Sequence, residues 1–221
     1  MRAGLTVLVI AKAPVAGTVK TRLAADLGGD HRLAAELAAA ALLDTLAACA
    51  LPGARRRIAL AGSLDDAVRG EEIRRSLAGW EVTGQRCTTL GERLAAAHAE
   101  VPGPVVQIGM DTPQVTADLL REVGDGLRRH DAVLAPAADG GWWALALRDG
   151  RLAAPLAGVP MSTPTTYADT GVALLAAGLG VGSARRLTDV DHLDDVETVA
   201  AAAPGTVFAA VARSIDARVA S

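Results

Sequence analysis

The hydrophobic positions of the chain follow two alternating patterns. Short, continuous apolar runs rich in β-branched residues are typical of strands buried on both faces of a parallel sheet. Longer segments with apolar residues at helical spacing separate these runs. The segments that predict strands are Leu5–Ala11, Arg57–Ala61, Trp80–Cys87, Pro104–Met110, Asp131–Pro136, Trp142–Arg148 and a last strand within Gly180–Val190, and Leu5–Ala11 is the clearest of the apolar runs among them. The segments that predict helices are Thr21–Leu27, His31–Ala50, Asp65–Leu77, Leu90–Val101, Val115–Arg129, Thr165–Leu179, Leu193–Ala203 and Val207–Val219.

The alternation of strands with helices predicts the fold class. Strands that alternate with helices form βαβ units, and such units build a mostly parallel sheet with helices on both faces. We therefore expect a three-layer α/β/α fold. No internal repeat, low-complexity linker or block of like charge divides the chain. A single domain over residues 1–221 is the prediction, in keeping with the usual size of domains.

Composition narrows the function classes. The chain has 48 alanines and only five aromatic residues among 221, and its net charge is −3. The charge excludes a disordered acidic tail and the basic surface of a nucleic-acid binder, and the shortage of aromatic rings argues against single-strand binding. Small alanine side chains let helices lie close on a sheet. We expect a globular enzyme or binding domain with no nucleic-acid partner.

Localisation is inferred from apolar runs and cysteines. No uncharged apolar stretch reaches the roughly 18 residues of a membrane span, and Leu33–Ala50 is interrupted by two acids. The run Leu5–Ala11 is too short for a signal peptide, and Lys12 lies where the cleavage site would be. Cys49 and Cys87 have neither C-x-x-C nor metal spacing. A cytoplasmic protein with reduced thiols and no membrane span is expected.

Candidate chemistry follows the strands, because ligands of open α/β sheets bind beyond the carboxyl ends of the strands. The loop after the first strand carries Lys12, Lys20 and Arg22 and leads into a helix. Cations at a helix N-terminus are suited to bind phosphate groups, so this loop is a candidate phosphate-binding site. The alternative is that its basic side chains are simply solvated. The loop matches neither a Walker A motif nor a dinucleotide fingerprint.

A lone carboxylate follows the strand at Pro104–Met110. Asp111 in G-M-D-T-P is suited to hold Mg²⁺ or Mn²⁺ against a diphosphate. The alternative is that Asp111 caps the helix that begins near Thr116, a role that Thr116 or Asp118 could also fill.

Two glycines follow the strand at Asp131–Pro136. In D-G-G-W-W, Gly140 and Gly141 allow close approach of the backbone to a ligand, and Asp139 can accept hydrogen bonds from hydroxyl groups. A plain glycine turn is the alternative. The tandem tryptophans, Trp142 and Trp143, should point to opposite faces of a strand, so one of them should be core.

An acidic segment, Thr188–Asp195, follows the last strand. Asp189 and Asp191 lie on one face of an extended segment, and His192 adds a possible metal ligand. The last two aspartates of the segment lie at the start of a helix, where negative charge is favourable without any ligand.

Together these motifs resemble a known family. A-K-A-P-V-A-G-T-V-K-T-R-L, L-G-E-R, G-M-D-T-P, D-G-G-W-W and D-V-D-H-L-D-D follow one another in the order found in bacterial GT-A-type glycosyltransferase-like proteins, often named radical-SAM/selenodomain-associated transferases. The resemblance covers about residues 5–200. More distantly, the M-D-T-P turn resembles a turn of molybdenum-cofactor guanylyltransferases. The chain departs from the family pattern at Cys87–Thr89, where a glycine and an aspartate are common, and at His192, where a threonine is common.

The resemblance implies a nucleotide-diphospho-sugar transferase (GT-A-like) fold and a set of residue roles. The residues that would bind the nucleotide are Ala11, Lys12, Gly17, Lys20, Arg22 and Gly109. Those that would bind the sugar or the acceptor are Glu92, Arg93, Gly140, Gly141 and Trp142. The metal ligands would be Asp111, Asp191 and His192. The catalytic carboxylates would be Asp139 and Asp191.

The predicted function is metal-dependent transfer from a nucleotide-activated donor. A diphosphate leaving group needs its negative charge neutralised, which Mg²⁺ or Mn²⁺ and a cationic loop can do. Transfer of a sugar from an NDP-sugar to a small acceptor is the favoured reaction. Nucleotidyl transfer from an NTP is the alternative, and an inactive module that binds sugar nucleotides is a third possibility.

Overall fold

The computed structural model describes residues 4–219, and a seven-stranded sheet lies at its centre. Residues 1–3 and 220–221 of the predicted domain lie outside the described part. The strands are β1 Thr6–Lys12, β2 Arg55–Ala61, β3 Glu81–Gly84, β4 Val105–Ile108, β5 Ala132–Pro136, β6 Trp142–Leu147 and β7 Val181–Ser183. The helices are α1 Thr21–Asp26, α2 His31–Ala48, α3 Gly70–Ser76, α4 Leu90–Ala99, α5 Ala117–Asp125, α6 Thr166–Ala176, α7 Leu193–Ala202 and α8 Val207–Val219. Two 3₁₀ segments are Gly126–Arg128 and Gly150–Gly158.

The sheet order is β3-β2-β1-β4-β6-β5-β7, and most of its strand pairs are parallel. Only β6 runs against its neighbours β4 and β5. The reason is the connection from β5 to β6, residues 137–141, which is far too short for the crossover of a dozen or more residues that a parallel pair requires. The predicted mostly parallel α/β fold is confirmed.

Apolar side chains cover both faces of the sheet. Val7 and Val9 of β1 belong to the core shared with α2, α3 and α5, whereas Leu8 belongs to the core shared with α4 and the second 3₁₀ segment. Strands β1 and β4 are buried almost throughout, as their continuous apolar runs predict. The helices therefore form layers on the two sides of the sheet.

Helix α2 explains much of the alanine content. Ala35 and Ala38 pack into the core beside the sheet, whereas Ala34 and Ala41 belong to a separate cluster with α7 and α8. A helix buried on two sides needs small residues on both. The Asp44 carboxylate on α2 also accepts hydrogen bonds from the first two backbone N–H groups of α8, at 2.9 and 2.8 Å, and so fixes where α8 begins.

Some predicted elements are shorter than the sequence pattern indicates. The helix predicted at Asp65–Leu77 begins only at Gly70, because Arg69 adopts a left-handed conformation (φ 52°). The strand predicted at Trp80–Cys87 ends at Gly84, and the last strand within Gly180–Val190 has three residues. The 3₁₀ segment at Gly150–Gly158 was not predicted; it contains Pro155, which cannot donate a helical hydrogen bond.

The segment that follows β7 lies beside the end of the sheet. Leu187 forms an isolated parallel bridge with Ala137, and the Val190 N–H donates to the Asp111 carbonyl at 3.0 Å. These contacts bring the acidic segment to the turn that follows β4. Among residues 4–219, none of the helices has both the length and the apolar character needed to cross a bilayer.

Candidate active site

A cavity of about 780 Å³ lies at the carboxyl ends of β1 and β4. Its walls come from the cationic loop, the turn after β4, the start of β6, the acidic segment and residues 161–166. The sequence-predicted site residues that line the cavity are Ala11, Lys12, Lys20, Arg22, Arg93, Gly109, Asp111, Asp139, Gly141, Trp142 and Asp191. Those that do not line it are Gly17, Glu92, Gly140 and His192. Residues from five distant segments thus meet at one edge of the sheet, as the rule for open α/β sheets predicts.

Lys20 is the most enclosed charged group of this site. It precedes α1 in a left-handed conformation (φ 48°), and its side chain is 9% exposed. The Lys20 Nζ atom lies 2.9 Å from Asp111 Oδ1 and 2.9 Å from Asp191 Oδ1. Burial disfavours the charged form, but the two carboxylates outweigh burial and raise the pKa of Lys20. The ammonium group therefore joins the turn after β4 to the acidic segment.

Three carboxylates form a cluster beside this lysine. Asp139, Asp189 and Asp191 each offer an oxygen atom, and these oxygens lie within 4.8 Å of one another. Burial, followed by the charges of Asp139, Asp191 and Asp111, raises the pKa of Asp189 to about 6. For Asp191, burial acts in the same upward direction, but Lys20 and Arg22 lower the pKa overall. The crowding of negative charge is what a divalent ion would relieve, and carboxylate oxygens are the donors that Mg²⁺ and Mn²⁺ prefer.

The predicted metal ligands separate in the structure. Asp191 belongs to the carboxylate cluster and Asp111 binds the same lysine, whereas the His192 Nδ1 atom lies 2.9 Å from Asp26 Oδ2. His192 precedes α7, and the Asp195 carboxylate accepts from its backbone N–H at 2.7 Å. The helix-start role expected for Asp195 is therefore confirmed.

The alternative role of Asp111 as a helix cap is wrong. Thr116 caps α5, because its hydroxyl oxygen accepts from the Leu119 N–H at 3.2 Å. Sequence reasoning gave no role to Asp189, although it recognised that Asp189 and Asp191 share a face. The D-x-D spacing of Asp189 and Asp191 in the segment after the last strand was the signal that could have assigned it.

The cationic loop folds back on itself. The Lys12 ammonium donates to the Thr18 carbonyl at 2.7 Å, and the Thr18 hydroxyl donates to the Val15 carbonyl at 2.9 Å. Gly17, with φ 80°, forms the turn between them. Lys12 is exposed and the Arg22 side chain is 68% exposed, so both cations can reach an anion in the cavity.

The two glycines of D-G-G-W-W have different roles. A Cβ atom on Gly140 would lie 2.1 Å from the Pro164 carbonyl oxygen, and φ at Gly140 is 93°. The Gly140 carbonyl also accepts from the Tyr167 N–H at 2.8 Å. Gly140 therefore serves close packing of the backbone against residues 163–167. The Gly141 N–H donates to Asp139 Oδ1 at 2.7 Å and orients that carboxylate towards the cavity.

The tandem tryptophans point to opposite faces, as expected. Trp143 is 3% exposed, belongs to the core and donates its Nε1–H to the Arg185 carbonyl at 2.8 Å. Trp142 lines the cavity and donates to the Thr170 hydroxyl at 3.1 Å.

The L-G-E-R motif shapes the loop before α4. The Glu92 carboxylate accepts from the backbone N–H groups of Thr88 and Thr89, as half of a capping box with Thr89, and these bonds lower the pKa of Glu92. Arg93 donates from Nε to the Cys87 carbonyl at 3.1 Å and lines the cavity. The structure thus gives Glu92 a contact within the fold, and its substrate-binding role stays a prediction.

Several cavity residues escaped sequence reasoning. Gln85 and Gln107 line the cavity, as do Met161, Ser162 and Thr163. A polar residue inside the buried run V-V-Q-I was a signal for Gln107. The segment at 161–163 does not follow a strand, and its residues form no pattern that would mark them as part of a site.

The fold is that of nucleotide-diphospho-sugar transferases. The chain is similar to a crystal structure from Desulfovibrio desulfuricans G20, provisionally described as a nucleotide-diphospho-sugar transferase, with 25% identity and a TM-score of 0.84. The alignment covers 98% of this chain and 96% of that chain.

Two further solved structures share the fold at lower identity. One is a CMP:2-keto-3-deoxy-manno-octonic acid synthetase in complex with CTP, with 14% identity, a TM-score of 0.54, and 90% and 97% of the two chains covered. The other is a cytidylyltransferase from Leptospira borgpetersenii serovar Hardjo-bovis, with 15% identity, a TM-score of 0.58, and 90% and 85% covered.

Residues 42–163 match the family described as an uncharacterized protein conserved in bacteria (DUF2064). This match spans more than half of the 221 residues, and the chain belongs to that family. None of the curated proteins compared with the chain matches it. The narrower resemblances, to radical-SAM/selenodomain-associated transferases and to molybdenum-cofactor guanylyltransferases, stay predictions.

Proposed function

We propose that this protein is a metal-dependent transferase that moves a sugar from an NDP-sugar to a small acceptor. The observation that carries the proposal is the arrangement of charge in one cavity. The carboxylates of Asp139, Asp189 and Asp191 lie close together, Asp191 contacts Lys20, and the exposed cations Lys12 and Arg22 line the same cavity. A diphosphate needs cations on its oxygens, and a divalent ion needs carboxylates, so the two sets are complementary.

The carboxylate cluster is suited to Mg²⁺ or Mn²⁺. Asp189 and Asp191 would hold the ion, and Asp111 lies close by because it shares Lys20 with Asp191. When bound, such an ion neutralises the charge that develops on a diphosphate leaving group. The pKa of Asp189 is raised first by burial and then by the charges of the neighbouring aspartates, and a bound cation would offset both effects.

The residues of the chain would supply the remaining functions. Lys12 and Arg22 would bind the phosphate oxygens, for which their exposed side chains leave them available. A base is needed to accept the proton of an attacking hydroxyl. Asp139 suits this task better than Asp191, because Gly141 orients it and because the lysine contact lowers the pKa of Asp191 and so weakens it as a base.

Nucleotidyl transfer is the second candidate. In that reaction an acceptor phosphate or hydroxyl attacks the α-phosphorus of an NTP, and pyrophosphate leaves. The observation in its favour is the number of cations on one short segment, since Lys12, Lys20 and Arg22 could surround a triphosphate. An inactive sugar-nucleotide-binding module is a third candidate, for which nucleotide binding would not depend on metal.

A thermal-shift panel tests these candidates. The protein would be heated with NDP-sugars, NDPs and NTPs, each with Mn²⁺, Mg²⁺ or EDTA. A ligand at 100 times its Kd adds about 2.7 kcal/mol of stability, which gives a measurable shift in Tm. Release of NDP from an NDP-sugar and of pyrophosphate from an NTP would then be measured with the ligands that shift Tm.

Each outcome of the panel supports or excludes one candidate. A metal-dependent shift that is larger with an NDP-sugar than with any NTP, followed by NDP release, supports sugar transfer. A shift confined to one NTP, with pyrophosphate release, supports nucleotidyl transfer. Nucleotide binding that is unchanged by EDTA, with no product formed, supports the inactive module. If no nucleotide shifts Tm, the proposal is wrong.

A further inference from the structure

The orientation of one cavity side chain, Gln85, is determined by its hydrogen bonds. Gln85 follows β3, and its backbone N–H donates to the Leu60 carbonyl at 3.2 Å. Its side-chain Nε2 donates to the carbonyl oxygens of Ala11 at 2.8 Å and Ala59 at 3.0 Å. Carbonyl oxygens only accept, so the amide must turn its nitrogen towards them. The amide oxygen therefore points away from the ends of β1 and β2.

The amide oxygen of Gln85 is an available acceptor. Both hydrogens of Nε2 are used by the two carbonyls, and no group of residues 4–215, whose side chains the structure describes, donates to Oε1. The Gln85 Oε1 atom has no partner among these residues but is not fully buried, so solvent can reach it. The corresponding oxygen of Gln114, by contrast, is both buried and without a partner in the described part of the chain. Since Gln85 lines the cavity, it presents a fixed acceptor to an N–H group of a ligand there.

The surroundings of Gln85 suit a flat ring. Ile10, which precedes Ala11 on β1, lines the cavity, and so do Leu90 and Leu94 from α4. Apolar side chains cover the faces of a ring, while a small number of polar groups orient its edge. Lys12 follows Ala11 directly, so the cationic loop begins one residue beyond the carbonyl that holds Gln85. A ligand with a ring at Gln85 and phosphates at the loop would be a nucleotide.

We infer that Gln85 reads the nucleobase of the donor by accepting a hydrogen bond from an N–H group on the base edge. The inference rests on the proposed use of a nucleotide donor. Because the acceptor is held by two carbonyls, it cannot rotate to become a donor for a base that presents an acceptor at that point. Gln85 is therefore a specificity-determining residue, and its loss reduces the preference among bases more than it reduces phosphate binding.

Two substitutions separate base reading from the structural role of Gln85. Gln85→Met removes both the donors and the acceptor without adding charge. Gln85→Lys keeps a donor for the carbonyls of Ala11 and Ala59 but has no acceptor. Isothermal titration with Mn²⁺ would measure the affinities of ADP, GDP, CDP, UDP and pyrophosphate for the wild type and both variants, and thermal unfolding would compare the stability of the three proteins.

The expected result is that the wild type prefers one NDP and that both variants lose about tenfold in affinity for it, the worth of one hydrogen bond to a ligand. Gln85→Met should keep the wild-type affinity for pyrophosphate. Equal loss for every nucleotide and for pyrophosphate would mean that Gln85 only caps the strand ends. A base preference that survives in both variants, or that the wild type lacks, also overturns the inference. If the wild type binds pyrophosphate but no NDP, or binds nothing, the proposed function fails instead.

Discussion

Lys20 and Asp191 lie 171 residues apart in the chain, yet the lysine Nζ atom is 2.9 Å from Asp191 Oδ1. The same nitrogen is 2.9 Å from Asp111 Oδ1. One buried cation thus holds together the loop after β1, the turn after β4 and the segment after β7. Because two carboxylates compensate its burial, Lys20 stays charged, and any ligand that draws it away leaves both carboxylates free for another cation.

Substitution of Lys20 should affect phosphate binding selectively. Lys20→Ala is expected to weaken the binding of di- and triphosphates far more than that of the nucleoside, because the nucleoside lacks the charge that the ammonium group attracts. Stability should fall by about 1–3 kcal/mol, since Asp111 loses its partner and Asp191 keeps only the longer contact with Arg22. Titration calorimetry and urea unfolding measure the two effects. Arg121→Ala, which removes an exposed pair with Asp118, is the matched control. Equal losses for nucleoside and diphosphate would contradict a phosphate role for Lys20.

The carboxylate cluster predicts which residues bind metal. Asp189→Asn removes one charge from the cluster and should weaken Mn²⁺ binding by at least about tenfold. His192→Ala should change it little, because the imidazole is engaged with Asp26. Electron paramagnetic resonance of free Mn²⁺ measures both. If the histidine variant loses as much affinity as the aspartate variant, the metal site includes His192 and the cluster is the wrong ligand set.

Asp111 should matter for the ternary complex with metal and nucleotide. Asp111→Ala is expected to abolish metal-dependent nucleotide binding and to leave the fold intact, because the carboxylate is partly exposed and its contact to Lys20 is duplicated by Asp191. Circular dichroism checks the fold, and calorimetry with Mg²⁺ or Mn²⁺ checks binding. An unchanged nucleotide affinity in either metal would show that Asp111 takes no part.

A buried histidine predicts a specific dependence of stability on pH. Burial lowers the pKa of His98 to about 4, although its contact to Gln107 acts the other way. The unfolded chain, with a histidine pKa near 6.5, binds more protons between these values, so stability falls as the pH falls through that window. From pH 7 to pH 5 the free energy of unfolding should drop by about 2 kcal/mol from this group alone.

His98→Leu should remove that component. Asp189, with its pKa raised to about 6, contributes in the opposite direction over part of the same window, but it is present in both proteins and cancels in the comparison. Urea unfolding at pH 7, 6 and 5 measures the slopes. Wild type and variant with the same slope would mean that His98 is not protonated on unfolding in this range.

Gly140 should tolerate no side chain. Gly140→Ala puts a Cβ atom 2.1 Å from the Pro164 carbonyl oxygen and forces alanine into a left-handed conformation, so a loss of about 3 kcal/mol or more is expected. Gly171→Ala on α6 is the control, since its Cβ atom meets nothing within 4 Å and its helical position favours alanine by up to about 1 kcal/mol. Chemical unfolding of both variants decides the point; a stable Gly140→Ala protein would show that residues 163–167 can move away from β6.

The hydrophobic pattern of the sequence predicted much of the fold independently of the site motifs. Continuous apolar runs predicted β1 and β4, because a strand buried on both faces needs apolar residues at every position. Strand β3 is largely exposed and β7 is only partly buried, and the sequence pattern placed them only within the longer segments Trp80–Cys87 and Gly180–Val190. The antiparallel direction of β6 also follows from the sequence, through the five residues between β5 and β6. The 3₁₀ segment at Gly150–Gly158 could not be predicted in this way, since its residues have no clear period and its main packing partner, α4, lies far away in the chain.

By itself the sequence determined which loops follow the strands, and therefore the edge of the sheet at which Lys20, Asp111, Asp139 and Asp191 meet. This follows because parallel strands end at a common edge. Only the tertiary structure decided which of these groups touch. The contact of Lys20 with Asp191 depends on how two loops 171 residues apart pack together. The contact of His192 with Asp26, and the hydrogen bonds that orient Gln85, likewise join segments that are distant in the chain. Periodicity records which face of an element is buried, but the partner of a side chain across the fold depends on loop conformations that no local pattern encodes.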